Sequence, residues 1–526
     1  MTLVNMHYDK IVVGAGAAGS IIAARLSENP DMSILLVEAG PDYHPAETMP
    51  DCIRYAYGHD ENIWAKAFGH DSEFSWNYFA RTTDEAPPVL VPRGKIVGGS
   101  SAVNSQIFLR GVPEDYDDWF DLGNDEWSYD KLLPFFKKVE TDTDIDDEFH
   151  GTEGPILVRR FKENEWHEEQ QAFYEACLLK GFDDCKDHNN PNTTGVGPMP
   201  FNNFAGFRQS TAVGYLTPAR NRENLNILPN VLVNKVVLDG KTAIGVEVEH
   251  NGSISTINAD EVILCGGAIN SPQLLMLSGI GPTDHLKDVG IKTKQHLSGV
   301  GQNLRDHPQV TSMWRLKPEY VKDSLKPKIQ FGVRYTATGS DLRNDMYTIA
   351  FSASPKEGIY LHTETPRDCF GLVSHLNLAL GSGEILLNSS DPAEHPILDY
   401  NYFNEEFDLI RLRESVDISL NVIETSNVKG LIQERLDPLP EDLSSLNALD
   451  DWIKRTAGTS HHVSSTCKMG PSSDDMAVVD QYGKVHGVNG LRVADVSIMP
   501  DCVRANTNAT VMAIGERVAD FISKGK

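Results

Sequence analysis

Cysteine is scarce in this chain: Cys52, Cys177, Cys185, Cys265, Cys369, Cys467 and Cys502 are the seven among 526 residues. They are scattered, odd in number and never spaced as C-x-x-C, which excludes a zinc-binding spacing and a disulfide framework. Basic residues are also in short supply. Lysine and arginine total 47 against 75 acidic residues, a formal net charge of −28. That balance argues against nucleic acid or an anionic membrane surface as a partner, and reads as a well-solvated acidic surface. Long apolar runs are missing: the uncharged stretch at residues 11–24 falls short of the ~20 residues that cross a bilayer. Residues 1–8 lack a basic region followed by an apolar one, so no secretory leader is expected and the cytoplasm is the default compartment. Repeats and low-complexity tracts are absent. What remains is 40% hydrophobic and 23% charged, the composition of a soluble globular protein. Its length calls for two or more domains.

The chain is organised around residues 8–38. Lys10, Ile11, Val12 and Val13 read as a buried strand that runs into Gly14-Ala15-Gly16-Ala17-Ala18-Gly19. Ile21, Ile22 and Leu26 follow at helical spacing, and a second apolar run from Ser33 ends at Glu38. This is a βαβ unit with a dinucleotide fingerprint. Gly14 permits the tight turn, Gly16 lets backbone approach a pyrophosphate, and Gly19 lets helix and sheet pack closely. The helix start offers amide donors and positive dipole to phosphates. Glu38, about 20 residues beyond the last glycine, is placed to accept from a ribose hydroxyl.

Farther along, residues 41–75 show no period and read as a loop-rich excursion. Residues 129–139 and 163–180 read as helices, and 189–203 as an irregular loop. Strand patterns occupy 225–228, 231–238, 243–249 and 261–265, the last running into Gly266-Gly267-Ala268 and a helix over 271–277. Residues 311–454 differ in character. Strand-like runs at 347–351 and 372–378, with helices over 407–423 and 446–455, suggest an α+β unit inserted in the nucleotide domain. A final amphipathic helix covers 509–522.

By these residues the chain resembles the glucose–methanol–choline (GMC) oxidoreductases, FAD enzymes acting on alcohols. The resemblance runs nearly end to end. It includes Gly14 to Gly19 with Glu38, Arg93-Gly94-Lys95-Ile96-Val97-Gly98-Gly99, Gly267-Ala268-Ile269-Asn270-Ser271-Pro272, Asn303-Leu304-Arg305-Asp306-His307-Pro308, Thr466-Cys467-Lys468-Met469-Gly470 and Ala494-Asp495. It implies a Rossmann-like FAD-binding domain in three segments, 1–160, 204–310 and 455–526. A substrate-binding domain from 161–203 and 311–454 would be set into it. The family's catalytic histidine falls on His462 and its partner on Asn506, leaving His461 as structural or pocket-lining. A histidine suits the task because it titrates near neutral pH and can take a hydroxyl proton, while an amide steadies the developing alkoxide. The bland alternative is a structural histidine and a turn asparagine.

Cofactor contacts implied by the resemblance are Gly14, Gly16, Ala17, Ala18, Gly19, Glu38, Ala39, Arg93, Val97, Gly98, Gly99, Asn104, Ser105, Gly267, Ala494, Asp495, Asn508 and Thr510. Val236 would meet the adenine through its backbone. Three departures carry weight. Val103 stands where some members carry a flavin-linked histidine, so non-covalent FAD is expected. Val463 and Thr507 replace prolines near the pair and loosen the backbone there. Gln309 stands where choline-specific members carry a glutamate, which argues against choline. The expected activity is oxidation of a primary or secondary alcohol with oxygen as acceptor, without metal, in a monomer or homodimer. Alternatives are a dehydrogenase using a quinone or other acceptor, a flavin-containing hydroxynitrile-type lyase, and a non-catalytic binding protein.

Overall fold

The first strands show no polar alternation because both of their faces are covered. In the computed structural model, which describes residues 7–57, 63–321, 327–352 and 368–526, Ile34–Val37 is buried at every position. It runs parallel to His7–Val13. The sheet order is Leu225–Leu228, Ile34–Val37, His7–Val13, Ser253–Leu264, Thr242–His250, Leu232–Asp239, and Leu491–Val493 pairs with Ser253–Leu264. Strands on either side of His7–Val13 are parallel to it, whereas the last three form an antiparallel meander.

Between His7–Val13 and Ile34–Val37 lies the helix Ala17–Leu26. Gly14 makes the turn into it at φ +99°, a conformation that penalises any side chain. A Cβ on Gly19 would sit 2.0 Å from the Gly14 carbonyl oxygen, so the close packing expected of this glycine is what the backbone adopts. The C-terminal helix Asn508–Ser523 packs on the same helix, where a Cβ on Gly515 would come within 3.1 Å of Ala18. Arg25 fastens the two by donating through Nε and Nη2, at 2.9 and 2.8 Å, to buried Glu516.

A second, antiparallel sheet has the order Ile432–Asp437, Pro308–Leu316, Cys369–Leu376, Met346–Ser352, Ile329–Tyr335, Gly195–Pro198. Residues of Glu168–Leu179, Glu406–Ile423 and Leu446–Thr456 share its apolar cluster, with Phe173, Leu412, Val416 and Trp452 buried against Phe370 and Leu372. The short strand Gly458–Thr459 pairs with its Pro308 end. The fold is therefore α/β, a nucleotide-type sheet with an α+β unit set into it, as expected. No helix among the described residues is long and apolar enough to cross a membrane.

Some expectations differ in detail. Among its described residues the excursion at 41–75 contains two short α-helices, Asp51–Arg54 and Ile63–Phe68, whose buried Ile53, Ile63 and Trp64 pack on the main core. The loop at 189–203 contains the edge strand Gly195–Pro198. Strands Pro308–Leu316 and Ile329–Tyr335 had no pattern to announce them, since nearly every residue in both is buried. Residues 1–6 of the segment read for a leader, 58–62 of the excursion, and 322–326 and 353–367 of the inserted unit lie outside the described residues. Overpacking of a tight contact costs about 1–3 kcal/mol, so Gly19→Ala should lower the unfolding free energy by about that much. Denaturant unfolding followed by far-UV circular dichroism measures it.

Candidate active site

The two sheets meet along a cavity of 660 Å³. At one end lies the glycine turn. Gly14, Gly16, Ala17, Ala18, Glu38, Ala39, Arg93, Gly99, Asn104, Ser105, Gly267, Asp495 and Asn508 line it, all of them expected cofactor contacts. Six others of that set do not. A Cβ on Gly98 meets Ala102 and Ala212, and its N–H donates to the Ala15 carbonyl. Gly19 and Val97 pack behind the turn, Ala494 donates to the Leu264 carbonyl, and Thr510 Oγ1 pairs with the Tyr116 hydroxyl at 2.8 Å. Val236 spends its N–H on Ser278 Oγ at 2.8 Å, and Val233, three residues earlier, lines the cavity instead.

Two acids on the cavity wall hold backbone amides. Glu38 accepts from the amides of Ala15 and Gly40, both at 2.9 Å, so its carboxylate braces the glycine turn from inside. Burial pushes its pKa up to about 7. Asp495 accepts from the Gly267 amide at 2.8 Å and from Ser271 Oγ at 2.6 Å, holding the start of the helix Gly267–Leu277.

This end of the cavity fits FAD. A Cβ built on Gly267 would meet nothing within 4 Å, so the turn faces open space. Asn508 Nδ2 and Gln106 Nε2 are buried donors with no protein partner. The helix starts at Ala17, Gly267 and Asn508 all border the cavity, and each leaves first-turn amides without intrahelical acceptors.

At the other end, His462 and Asn506 come together across 44 residues of sequence. Asn506 Nδ2 lies 3.0 Å from His462 Nε2. The other ring nitrogen, Nδ1, is 2.9 Å from His307 Nδ1, and His307 Nε2 is 2.9 Å from the Val503 carbonyl. A carbonyl only accepts, so His307 carries its proton on Nε2. Its ring is neutral, because burial lowers its pKa to about 4. His307 Nδ1 is then an acceptor, which places the His462 proton on Nδ1. His462 Nε2 is left as a bare lone pair that accepts from Asn506. Burial, followed by His307, His375, His461 and Arg93 nearby, holds the His462 pKa well below the ordinary 6.5.

The backbone is equally constrained. Asp306 Oδ1 accepts from the His462 amide at 2.8 Å, and Arg93 donates to the carbonyl of His461 through an Nη2 hydrogen bond. His461 takes the left-handed conformation, φ +63°, immediately before the histidine that faces the cavity. His461 itself lines the cavity.

Of the remaining wall the sequence singled out Gln309 alone. Phe68, Ile107, Tyr347, Val373 and His375 line it too. Alternation along 347–351 and 372–378 was visible, but not which face would meet His462.

A dinucleotide cradle opening onto a histidine–asparagine pair defines a nucleotide-dependent oxidoreductase. Two family models described as GMC oxidoreductase match residues 8–309 and 380–515. The chain belongs to the GMC oxidoreductase family, FAD-dependent enzymes acting on CH–OH donors. It is similar to an uncharacterized GMC-type oxidoreductase of Rhodococcus erythropolis, 36% identical over 98% of both chains. It is also similar to oxygen-dependent choline dehydrogenase 1 of Chromohalobacter salexigens, 35% identical over 98% of this chain and 95% of that one. Among solved structures, pyridoxine 4-oxidase from Mesorbium loti superposes with TM-score 0.88 at 28% identity, covering 98% of this chain and 99% of its own.

The hydrogen-bond assignment is measurable. Histidine ¹⁵N NMR at neutral pH should show His462 as the neutral Nδ1–H tautomer. In His307→Phe, which removes the acceptor at Nδ1, the same resonance should shift towards a mixture of tautomers. Nε2–H in the unsubstituted protein would contradict the network.

Proposed function

We propose that the protein oxidises an alcohol to the carbonyl with His462 as base, Asn506 as its partner and oxygen as the electron acceptor. The observation that carries this reading is the bare His462 Nε2 beside the Asn506 amide on the cavity wall. Bound FAD would supply a hydride acceptor at its N5. The substrate hydroxyl takes the place of the Asn506 donor at Nε2 and passes its proton there. Asn506 Nδ2 then donates to the substrate oxygen while the carbinol hydride departs and the C=O bond forms.

Oxygen as acceptor is supported by relatives described as oxygen-dependent choline dehydrogenases, 34–35% identical, and by the pyridoxine 4-oxidase. Non-covalent FAD is supported by Val103, which is buried, lines the cavity and carries no nucleophile. We further take 1–160, 204–310 and 455–526 as the FAD-binding domain, and 161–203 with 311–454 as the substrate-binding domain. Glu168–Leu179 and Gly195–Pro198 packing with the second sheet favour that division. All seven cysteines are free and buried, as a reducing compartment such as the cytoplasm would keep them.

His462→Ala should lower kcat/KM by roughly 10²–10⁴ while flavin stays bound. An unchanged rate would remove His462 from the mechanism. The working base is neutral and its pKa lies well below 6.5, so activity is present above the folded pKa and is lost only as pH falls through it. The kcat/KM profile of the unsubstituted enzyme should therefore be level from pH 6.5 upward through neutrality. An ascending limb centred near 6.5 would count against this environment. Acid precipitation should leave the flavin in the supernatant, and yellow pellets would show a covalent link.

A further inference from the structure

The second sheet forms the floor of the cavity opposite the glycine cradle, and its register sorts the lining residues into rows. His375 stands opposite Gln309 on one side and Tyr347 on the other. Two residues farther along the strands, Val373 stands opposite Ile349. Beyond them, Phe351 stands opposite Ile329. All seven side chains line the cavity. Residues two apart on a strand share a face and lie about 7 Å from each other. The floor is therefore one polar row followed by two apolar rows, the farther one about 14 Å from it.

The polar row adjoins the candidate base through Ser460, two residues before His462. Ser460 Oγ is 2.7 Å from the His307 carbonyl and 2.7 Å from His375 Nδ1. The hydroxyl has one proton, and the carbonyl can only accept, so Ser460 donates to His307 O and His375 donates from Nδ1. The His375 ring is neutral: burial, with His307 and His461 nearby, brings its pKa down to about 3. Tyr347 donates its hydroxyl to Met199 Sδ at 3.0 Å. Gln309 is an amide. None of these rows carries a charge. The charged side chains that line the cavity are Glu38, Asp495, Arg93, Lys95, Glu249 and Glu394, none of them in these rows. Glu38 and Asp495 hold the cradle, Arg93 donates to the His461 carbonyl, Lys95 Nζ lies 4.8 Å over the Trp76 ring and Glu394 Oε2 accepts from Asn388 Nδ2 at 3.1 Å.

We propose, resting on the alcohol-oxidising reading above, that this floor selects uncharged alcohols carrying an aryl or extended alkyl body. It would reject cationic, anionic and polyhydroxylated ones. The reacting CH–OH group lies at the polar row beside His462, and the body covers the Val373–Ile349 and Phe351–Ile329 rows. A charged or polyhydroxylated body laid there loses its water and finds no partner. An apolar body gains from the same burial.

The holoenzyme tests this by anaerobic stopped-flow, reading flavin reduction with benzyl alcohol, 1-octanol, choline, glycolate and glycerol. Benzyl alcohol or 1-octanol should exceed the other three in reduction efficiency by about 100-fold or more, and the better of the two assigns an aryl or an alkyl body. Choline, glycolate or glycerol matching them would overturn the proposal. Ile349→Ala should weaken benzyl alcohol about tenfold in Kd and leave glycerol unaffected. Binding of the non-reducing ligand benzamide, read from the flavin absorbance spectrum, keeps the floor separate from the chemistry. If dithionite bleaches the flavin and no alcohol does, the alcohol-oxidising reading fails. In that case benzamide binding that Ile349→Ala weakens still supports the apolar floor, and no benzamide binding overturns it.

Discussion

Everything in the site hangs on the Asp306 carboxylate. It is buried, and burial raises its pKa, yet it is surrounded by donors. The His462 amide reaches Oδ1, and the Tyr402 hydroxyl at 2.6 Å and Thr459 Oγ1 reach Oδ2. These donors come from Tyr402 and from the 459–462 segment, while Asp306 itself lies two residues before the Pro308–Leu316 strand. The backbone around it is paired too, Arg305 and Ser464 exchanging two hydrogen bonds at 3.1 and 2.8 Å. A buried acid satisfied by three donors from two segments cannot shift without stranding several polar groups, each costly to leave unpaired. That is how His462 is held in register with the Pro308–Leu316 strand, across the 156 residues that separate it from Asp306.

The cavity divides its electrostatics between its two walls. The nucleotide side carries amide-rich turns, helix starts and acids that hold those turns in place. The opposite side carries neutral hydrogen-bonding groups and then hydrocarbon. A cofactor with phosphates and a substrate without charge can occupy the same 660 Å³ cavity because each meets a different wall. The glycine turns make the first wall thin: a Cβ on Gly99 would meet Gly16 Cα at 2.6 Å, so the two turns lie against each other with no side chain between.

How much of this was legible depends on sequence separation. The βαβ unit was readable because its strand, turn and helix are contiguous, and the helix 129–139 and strand 225–228 were placed to the residue. His462 and Asn506 were readable through the motifs flanking them. Val236 does not line the cavity and Val233 does, and the strand between them carries a register shift between Val233 and Lys235. Such a bulge changes which residue faces the ligand without altering the apolar pattern. The acids were recognised, but their backbone partners were not, since Glu38 and Asp495 bond to amides that any residue would supply. The substrate floor was the least readable part. Its rows join Gln309, Tyr347 and His375, and only the strand register decides that these three are neighbours. Almost fully buried strands such as Pro308–Leu316 give no alternation from which to infer it.

The three imidazoles around the proposed base raise a question of strength, since a depressed pKa would make His462 ready but weak. Readiness follows directly: burial keeps the ring unprotonated, so no fraction of the protein waits in the wrong state. Weakness is offset where it matters, after the proton arrives. An imidazolium at His462 would donate from Nδ1 to His307 Nδ1, 2.9 Å away, and a hydrogen bond from a charged donor is roughly twice as strong as a neutral one. His307 can serve because its own proton is committed to the Val503 carbonyl. The same contact that fixes the tautomer of the resting ring therefore also leaves an acceptor in place at Nδ1 once the ring is protonated. That retained partner, rather than the mere proximity of polar groups, is what would let a buried neutral ring serve as the proposed base.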